Sequence, residues 1–268
     1  MASIEGYCTI YKQGANIMTD SATSENHRLE DVDWSLYDFV DLGSSKGGSL
    51  KHCMRRFSAR RGIGIDLSAH KVATALAEGY ETAQGDATEL DLKGQVSFVS
   101  MLNFLEHMPN LNLVEKVIAA AARSARDFLY IRHPSFEGEE IAEQIGYRQY
   151  WWHWSGHTAH IRVADYCRIF ERLGLGSYRI RYFDPVTQVN HYSVVPTSMD
   201  INTNERTSRA LIKPDTPLPM TWWRRQDIFV QLRPYEPQEW LEITKDDVPT
   251  RHPSSAQINA GRQEAARG

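Results

Sequence analysis

Three aspartates, Asp41, Asp66 and Asp86, each close a short apolar run, in "FVDLGSSKGG", "GIGIDLS" and "AQGDATEL". A carboxylate offers two acceptor oxygens, so an acid at a strand end can take both hydroxyls of a vicinal diol, and Asp66 is placed to do so for a ribose. Asp86 can accept the exocyclic amine of an adenine. If the strands are parallel, the acids converge on one crevice beyond their carboxyl ends, where open α/β sheets hold ligands.

The turn after Asp41 decides what such a ligand carries. Gly43 and Gly48 have P-loop spacing, but Ser49 and Leu50 stand where that loop needs Lys and Ser or Thr, so the charge that holds phosphates is missing. A dinucleotide turn fails too, because Ser45 replaces the second glycine that lets a pyrophosphate approach. A nucleoside without its phosphates needs only a tight backbone of small residues near an acid, which Asp41, Gly43, Ser45 and Gly47 supply.

Further on, "LEHMPN" sets Glu106 beside His107. Histidine titrates near neutrality, so this one can take a proton from a hydroxyl or orient an acceptor; alternatively the pair caps the following helix and only shapes a pocket. The stretch "YWWHWSGHTAHIR", residues 150–162, is the most distinctive in composition. Trp151, His153, His157 and His160 can form an aromatic wall with polar tips around a substrate, or the segment can be plain aromatic packing. A metal site is the third reading, since the histidines fall at three- and four-residue intervals. Gly156 and the lack of an HExxH pattern count against it, and no metal is expected.

The elements that must position these residues alternate in type. Short runs rich in Val, Ile, Phe and Tyr over 37–42, 62–66, 80–84, 96–102 and 128–132 predict strands, and helical periodicity fills 48–59, 69–78 and 111–125 between them. Ser68 is an N-cap and Gly79 a C-cap of the second helix. A helix over 163–173 and closing strands over 178–183 and 227–232 follow. A connection as long as 184–225 is uncommon in a compact domain and predicts short elements or a lid. Residues 1–35 form an N-terminal extension, 36–234 one domain with an insertion around 184–225, and 235–268 a polar, mobile tail.

At 268 residues and 41% hydrophobic content the chain can bury a substantial core, and a net charge of −4 gives no global attraction to polyanions. No nucleic-acid partner is expected; Lys51–Arg61 and Arg224–Arg225 are read as solvated faces. Three widely spaced cysteines, Cys8, Cys53 and Cys167, argue against a disulfide framework, and no apolar run approaches a membrane span, so a cytoplasmic protein is expected. The sequence does not set the oligomeric state.

"FVDLGSSKGG", "GIGIDLS", "GDATEL" and "FVSMLNFLEHMPN" resemble, in order and spacing, the successive motifs of class I S-adenosylmethionine-dependent methyltransferases. The resemblance covers 36–134 well and continues more weakly through the late helix and final strands. It implies a three-layer Rossmann-like α/β fold with a mostly parallel seven-stranded sheet and an antiparallel last strand. It implies S-adenosylmethionine as cofactor and S-adenosylhomocysteine as product. Asp41, Gly43, Ser44, Ser45 and Gly47 would flank the methionyl portion, Asp66 and Leu67 would meet the ribose, Asp86 and Ala87 the adenine, and Leu102 and Asn103 the sulfonium end. Ser45 departs from the usual middle glycine, and Ser97 from an acid common before the fourth strand's core.

The expected activity is methyl transfer to a small molecule or a glycan or lipid precursor, with oxygen the favoured acceptor and Glu106 and His107 the candidate catalytic residues. Two alternatives stay open: an inactive binding protein that keeps the fold, and an NAD-dependent dehydrogenase.

Overall fold

The computed structural model describes residues 28–245. Its strands are β1 (Phe39–Leu42), β2 (Gly62–Asp66), β3 (Thr82–Gln84), β4 (Val96–Leu102), β5 (Ala125–Pro134), β6 (Tyr147–Gln149), β7 (Tyr178–Gln188), β8 (Val194–Pro196) and β9 (Pro217–Gln231). The helices are α1 (Gly48–Phe57), α2 (Ala69–Ala77), α3 (Leu111–Ser124), α4 (Ala142–Ile145), α5 (Val163–Arg172), α6 (Glu205–Ala210) and α7 (Pro237–Ile243). Seven strands form one sheet in the order β3–β2–β1–β4–β5–β9–β7. β1 to β5 pair in parallel, and β9, the last strand, runs antiparallel to both neighbours. Fold and strand direction are as the resemblance implied.

Side chains alternate across each strand, and here the two faces differ in kind. Phe39, Phe98, Phe128, Tyr130 and Phe229 point to one side with Leu50 and Cys53 of α1. Val40, Leu42, Val99, Met101, Leu129, Ile131, Ile228 and Val230 point to the other, against Val114, Val117, Ile118 and Ala121 of α3 and Tyr166, Ile169 and Phe170 of α5. The aromatic face is a ladder across register partners: Phe39 stacks on Phe98 at 4.7 Å and Phe98 on Phe128 at 4.8 Å. The helices begin where local chemistry fixes them. Ser68 accepts from the Lys71 amide ahead of α2, and Asn110 from Leu113 ahead of α3.

The closing hairpin is longer than its sequence signal. β7 continues to Gln188 and β9 starts at Pro217, so the connection narrows to 189–216. The strand expected to end at residue 183 runs on through Pro185, which pairs with Trp223; β7 is an edge strand, where proline is tolerated. Val186, Leu218 and Trp222 then reach a second core with Phe136, Trp152, Val189 and Val194. β6 and β8 form an unexpected two-stranded sheet beside it. Buried Arg148 donates to the carbonyls of Gln149, Tyr150, Met199 and Asp200 and so pins the 199–204 loop.

At the C-terminal end α7 brings Trp240 and Ile243 onto the aromatic face, so residues 237–243 are helical where a polar tail was expected. The remaining tail, most of the N-terminal extension and Cys8 lie outside the described residues. Among the described residues no helix is long and apolar enough to cross a membrane.

Two stability tests follow from this core. A Cβ on Gly62 would lie 2.1 Å from the stacked Phe39 ring, so Gly62→Ala should destabilise by about 1–3 kcal/mol in denaturant unfolding, the cost of overpacking. Asp41 is fully buried and accepts from Ser100 (2.6 Å) and Ser49; burial pushes its pKa from 3.8 up to about 6. A raised acid stabilises the fold fully below its unfolded pKa and loses that contribution as pH rises through the folded one. Asp41→Asn does not titrate, so its stability relative to wild type should improve between pH 4 and pH 7.5, by up to about 3 kcal/mol. A difference independent of pH would show that the carboxyl is unperturbed.

Candidate functional site

Leu42 pairs with Ile65 on one side and Met101 on the other, and Asp66 pairs with Gln84. The loops after β1, β2, β3 and β4 therefore open on one edge of the sheet, and the three acids come to it together.

The first loop folds over β2, with the Gly43 and Ser44 amides donating to the Ile65 carbonyl at 2.8 and 3.2 Å. Gly43 has φ +70°, and a Cβ there would sit 2.1 Å from the Phe104 ring; Gly47, at φ +88°, is similarly closed by Tyr80. Ser45, at the place of the usual middle glycine, keeps that glycine's left-handed backbone at φ +51°. It is held there because its amide donates to Asp66 Oδ2 at 3.0 Å. Ser44 is buried, and its hydroxyl has no hydrogen-bond partner.

Asp66 Oδ1 also accepts from the Ser68 amide at 2.9 Å, and Lys71 Nζ lies 3.8 Å from Oδ2. Two amides occupy two of roughly four lone-pair sites, which leaves capacity for a diol. Leu67, next in sequence, is 67% exposed and presents an apolar surface beside the acid. Asp86 uses Oδ1 for both the amide and the hydroxyl of Thr88, each at 2.8 Å, and caps the turn begun by buried Ala87. Leu102 is half-buried, and Asn103, at φ +48°, turns the chain out of the sheet. Asp41, by contrast, spends both oxygens on serines inside the core, so its carboxylate shapes the turn from beneath. Ser97 is remote, at the opposite end of β4, where its hydroxyl accepts from Arg126.

Beside Asn103 opens a cavity of about 620 Å³. The cavity lining includes Asn103, Glu106 and His107 on one side, Trp151, Trp154 and His157 from a second segment, and, from further segments, Asn202, Asn204, Arg224 and Arg225 together with Asp184, whose carboxylate lies 3.9 Å from Arg224. The first two segments are stitched together. The Glu106 carbonyl accepts from the Thr158 and Ala159 amides, Thr158 Oγ1 donates to the Met108 carbonyl, and His107 Nδ1 donates to the Gly156 carbonyl at 2.7 Å. A carbonyl can only accept, so Nδ1 carries a proton, and Nε2 is the ring nitrogen left to face other partners. His157 is arranged likewise, with Nδ1 donating to the Trp151 carbonyl at 3.0 Å. Burial pushes its pKa down to about 4, which keeps it neutral at pH 7.

Glu106 is 1% exposed, and its Oε2 has no hydrogen-bond partner. Burial pushes its carboxyl up to about 8. His133 Nε2 lies 3.9 Å from Oε2, on a fully buried imidazole whose pKa burial holds down at about 3.

The four residues expected to form a substrate wall divide. Trp151 and His157 line the cavity, whereas His153 and His160 bind Glu139, at 3.3 and 2.8 Å, and Glu139 raises the pKa of His160. Residues 150–160 are turns and extended chain, so helical spacing does not place these histidines on one face. Arg224 and Arg225, read in sequence as a solvated face, are instead part of the cavity lining. Asn202 and Asn204 carry no sequence signal, because Arg148 positions their loop through backbone carbonyls alone.

Residues 40–127, from β1 to the start of β5, match the family model described as a methyltransferase domain. No curated protein matches the chain. Among solved structures it is similar to a SAM-dependent methyltransferase from Archaeoglobus fulgidus, at 16% identity, 72% of this chain, 85% of that one and a TM-score of 0.48. It is similar to the YcgJ protein from Bacillus subtilis, at 13% identity, 74% and 93% coverage and a TM-score of 0.49. A third is magnesium protoporphyrin IX methyltransferase from Synechocystis with bound SAH, at 16% identity, 72% and 74% coverage and a TM-score of 0.43. The stretch that matches the methyltransferase-domain model, 40–127, runs from β1 to the start of β5, and so holds the glycine turn, the three acids and the Glu106–His107 pair.

Proposed function

We propose that the chain methylates a hydroxyl group of a small polar acceptor held in the cavity beside Asn103. Asn103 supports this reading most directly, because it ends the strand that borders the cofactor edge and also lines the cavity. The edge fits S-adenosylmethionine on two counts. Asp66 has acceptor capacity to spare for a ribose diol, and Gly43 and Gly47 keep the turn free of side chains on a backbone only glycine adopts readily. Leu67, Asp86 and Ala87 would meet the adenine, Ser44 and Ser45 the turn side, and Leu102 and Asn103 the reactive end. The cofactor supplies an electrophilic methyl on a sulfonium, and S-adenosylhomocysteine leaves.

What the chain must add is proximity, and a place for the acceptor's proton. His107 and His157 both commit Nδ1 to a backbone carbonyl and so leave Nε2 for the cavity, which suits a hydroxyl acceptor. Arg224 and Arg225 supply cationic edges for an acceptor with an acidic group. A cavity of about 620 Å³ suits a small molecule or the tip of a glycan or lipid precursor better than nucleic acid.

Asp66→Asn should weaken S-adenosylhomocysteine binding by about 2 kcal/mol in calorimetry; one oxygen survives for Ser68 while the Ser45 amide loses its acceptor, so the unfolding free energy should fall by about 1–3 kcal/mol and the fold should persist. An unchanged dissociation constant would show the acid to be misassigned. The acceptor reading is tested with methyl-labelled cofactor and hydroxylated small acids. His107→Gln should lower kcat about 10²–10⁴-fold with little change in KM for the cofactor. N-methylated products formed at a rate indifferent to His107→Gln would refute it.

A further inference from the structure

We infer that Glu106, His107 and His157 form a binding site for one divalent transition cation of the zinc class in the wall of the acceptor cavity. One ligand atom from each of the three lies within 4.8 Å of the others. Tetrahedral zinc, with bonds of about 2.0–2.2 Å, needs its ligands roughly 3.3 Å apart, so small rotations of exposed His107 and of Glu106 close the set.

The two imidazoles are already oriented as metal-binding histidines are. Each donates Nδ1–H to a backbone carbonyl, Gly156 for His107 and Trp151 for His157, which fixes the tautomer and leaves Nε2 to bind. The carboxylate supplies an independent observation. Glu106 Oε2 is buried without a hydrogen-bond partner, and His133, whose Nε2 lies 3.9 Å from it, is itself buried with both ring nitrogens unpartnered. A buried carboxylate in such a place carries a solvation cost that a cation removes. The ligands come from two segments that four hydrogen bonds hold together, so the site does not wait on a loop to order.

Two nitrogens and one carboxylate oxygen suit zinc, cobalt or manganese better than calcium or magnesium, which prefer all-oxygen sets. Three protein ligands leave a coordination position open, and all three residues line the cavity together with Asn103. A cation there would hold the acceptor oxygen and ease loss of its proton. That role rests on the hydroxyl-acceptor reading above, whereas occupancy of the site does not. The histidine triplet of the sequence reading is a different set, since Glu139 holds two of its members.

The test uses the untagged full-length chain, stripped with a chelator and titrated with Zn²⁺ and with Co²⁺ as a spectroscopic probe. One cation per chain and a visible tetrahedral Co²⁺ band are expected. His107→Ala, His157→Ala and Glu106→Gln should each raise the dissociation constant at least about 100-fold, more than outer-shell losses do. His153→Ala should leave it within about 2-fold. Substoichiometric binding by the wild type, variants that bind like it, or loss with His153→Ala instead would overturn the site. His107 is exposed, so its variant tests the site even if His157→Ala fails to fold. Calorimetry with S-adenosylhomocysteine on the stripped protein separates the two readings. Cofactor binding without cation binding removes the metal site alone, and cation binding without cofactor binding removes the methyltransferase reading alone.

Discussion

The parallel register of β1, β2 and β4 is the constraint on which the site depends. Leu42, Ile65 and Met101 lie side by side, so the chain leaves three adjacent strands at the same height and its loops share one crevice. The stacked rings of Phe39, Phe98 and Phe128 hold that register from one face, and aliphatic side chains with α3 and α5 hold it from the other. A one-residue slip would exchange the faces and carry the acids away from each other. The Ser45–Asp66 hydrogen bond is a consequence of that alignment, and it lets a serine occupy a turn conformation that glycine adopts more cheaply.

A second constraint ties the acceptor side to this edge. The 105–108 turn and the 156–159 segment exchange four hydrogen bonds, and these bring His157 beside His107 across fifty residues of chain. Behind them Trp152 and Trp222 pack at 4.6 Å in a separate core, while Arg148 anchors the loop that carries Asn202 and Asn204. Two cores thus divide the work. The larger fixes the sheet edge where the acids lie, and the smaller fixes the cavity wall.

The sheet edge proposed for the cofactor was legible in the sequence because its signals are local: a four- to seven-residue apolar run, an acid at its end, small residues in the turn. Asp66, Leu67, Asp86 and Asn103 all reach the expected edge for that reason. Asp41 shows the limit, since only packing tells that its oxygens face Ser49 and Ser100 within the core. The acceptor half was largely hidden. Helical spacing suggested a histidine face over 153–160, but that stretch is turns, and Glu139, distant in sequence, takes two of the three. The edge strand expected to stop at residue 183 continues through Pro185, and Arg224 and Arg225 line the cavity from the opposite strand of that extended hairpin.

A crystal structure of the full chain with S-adenosylhomocysteine tests the central claim most directly. The account predicts the ribose hydroxyls on Asp66, the adenine between Leu67 and Ala87, and the sulfur directed past Asn103 towards the cavity. Density for the nucleoside away from Asp66, or for the sulfur pointing away from the Glu106–His107 wall, would contradict it.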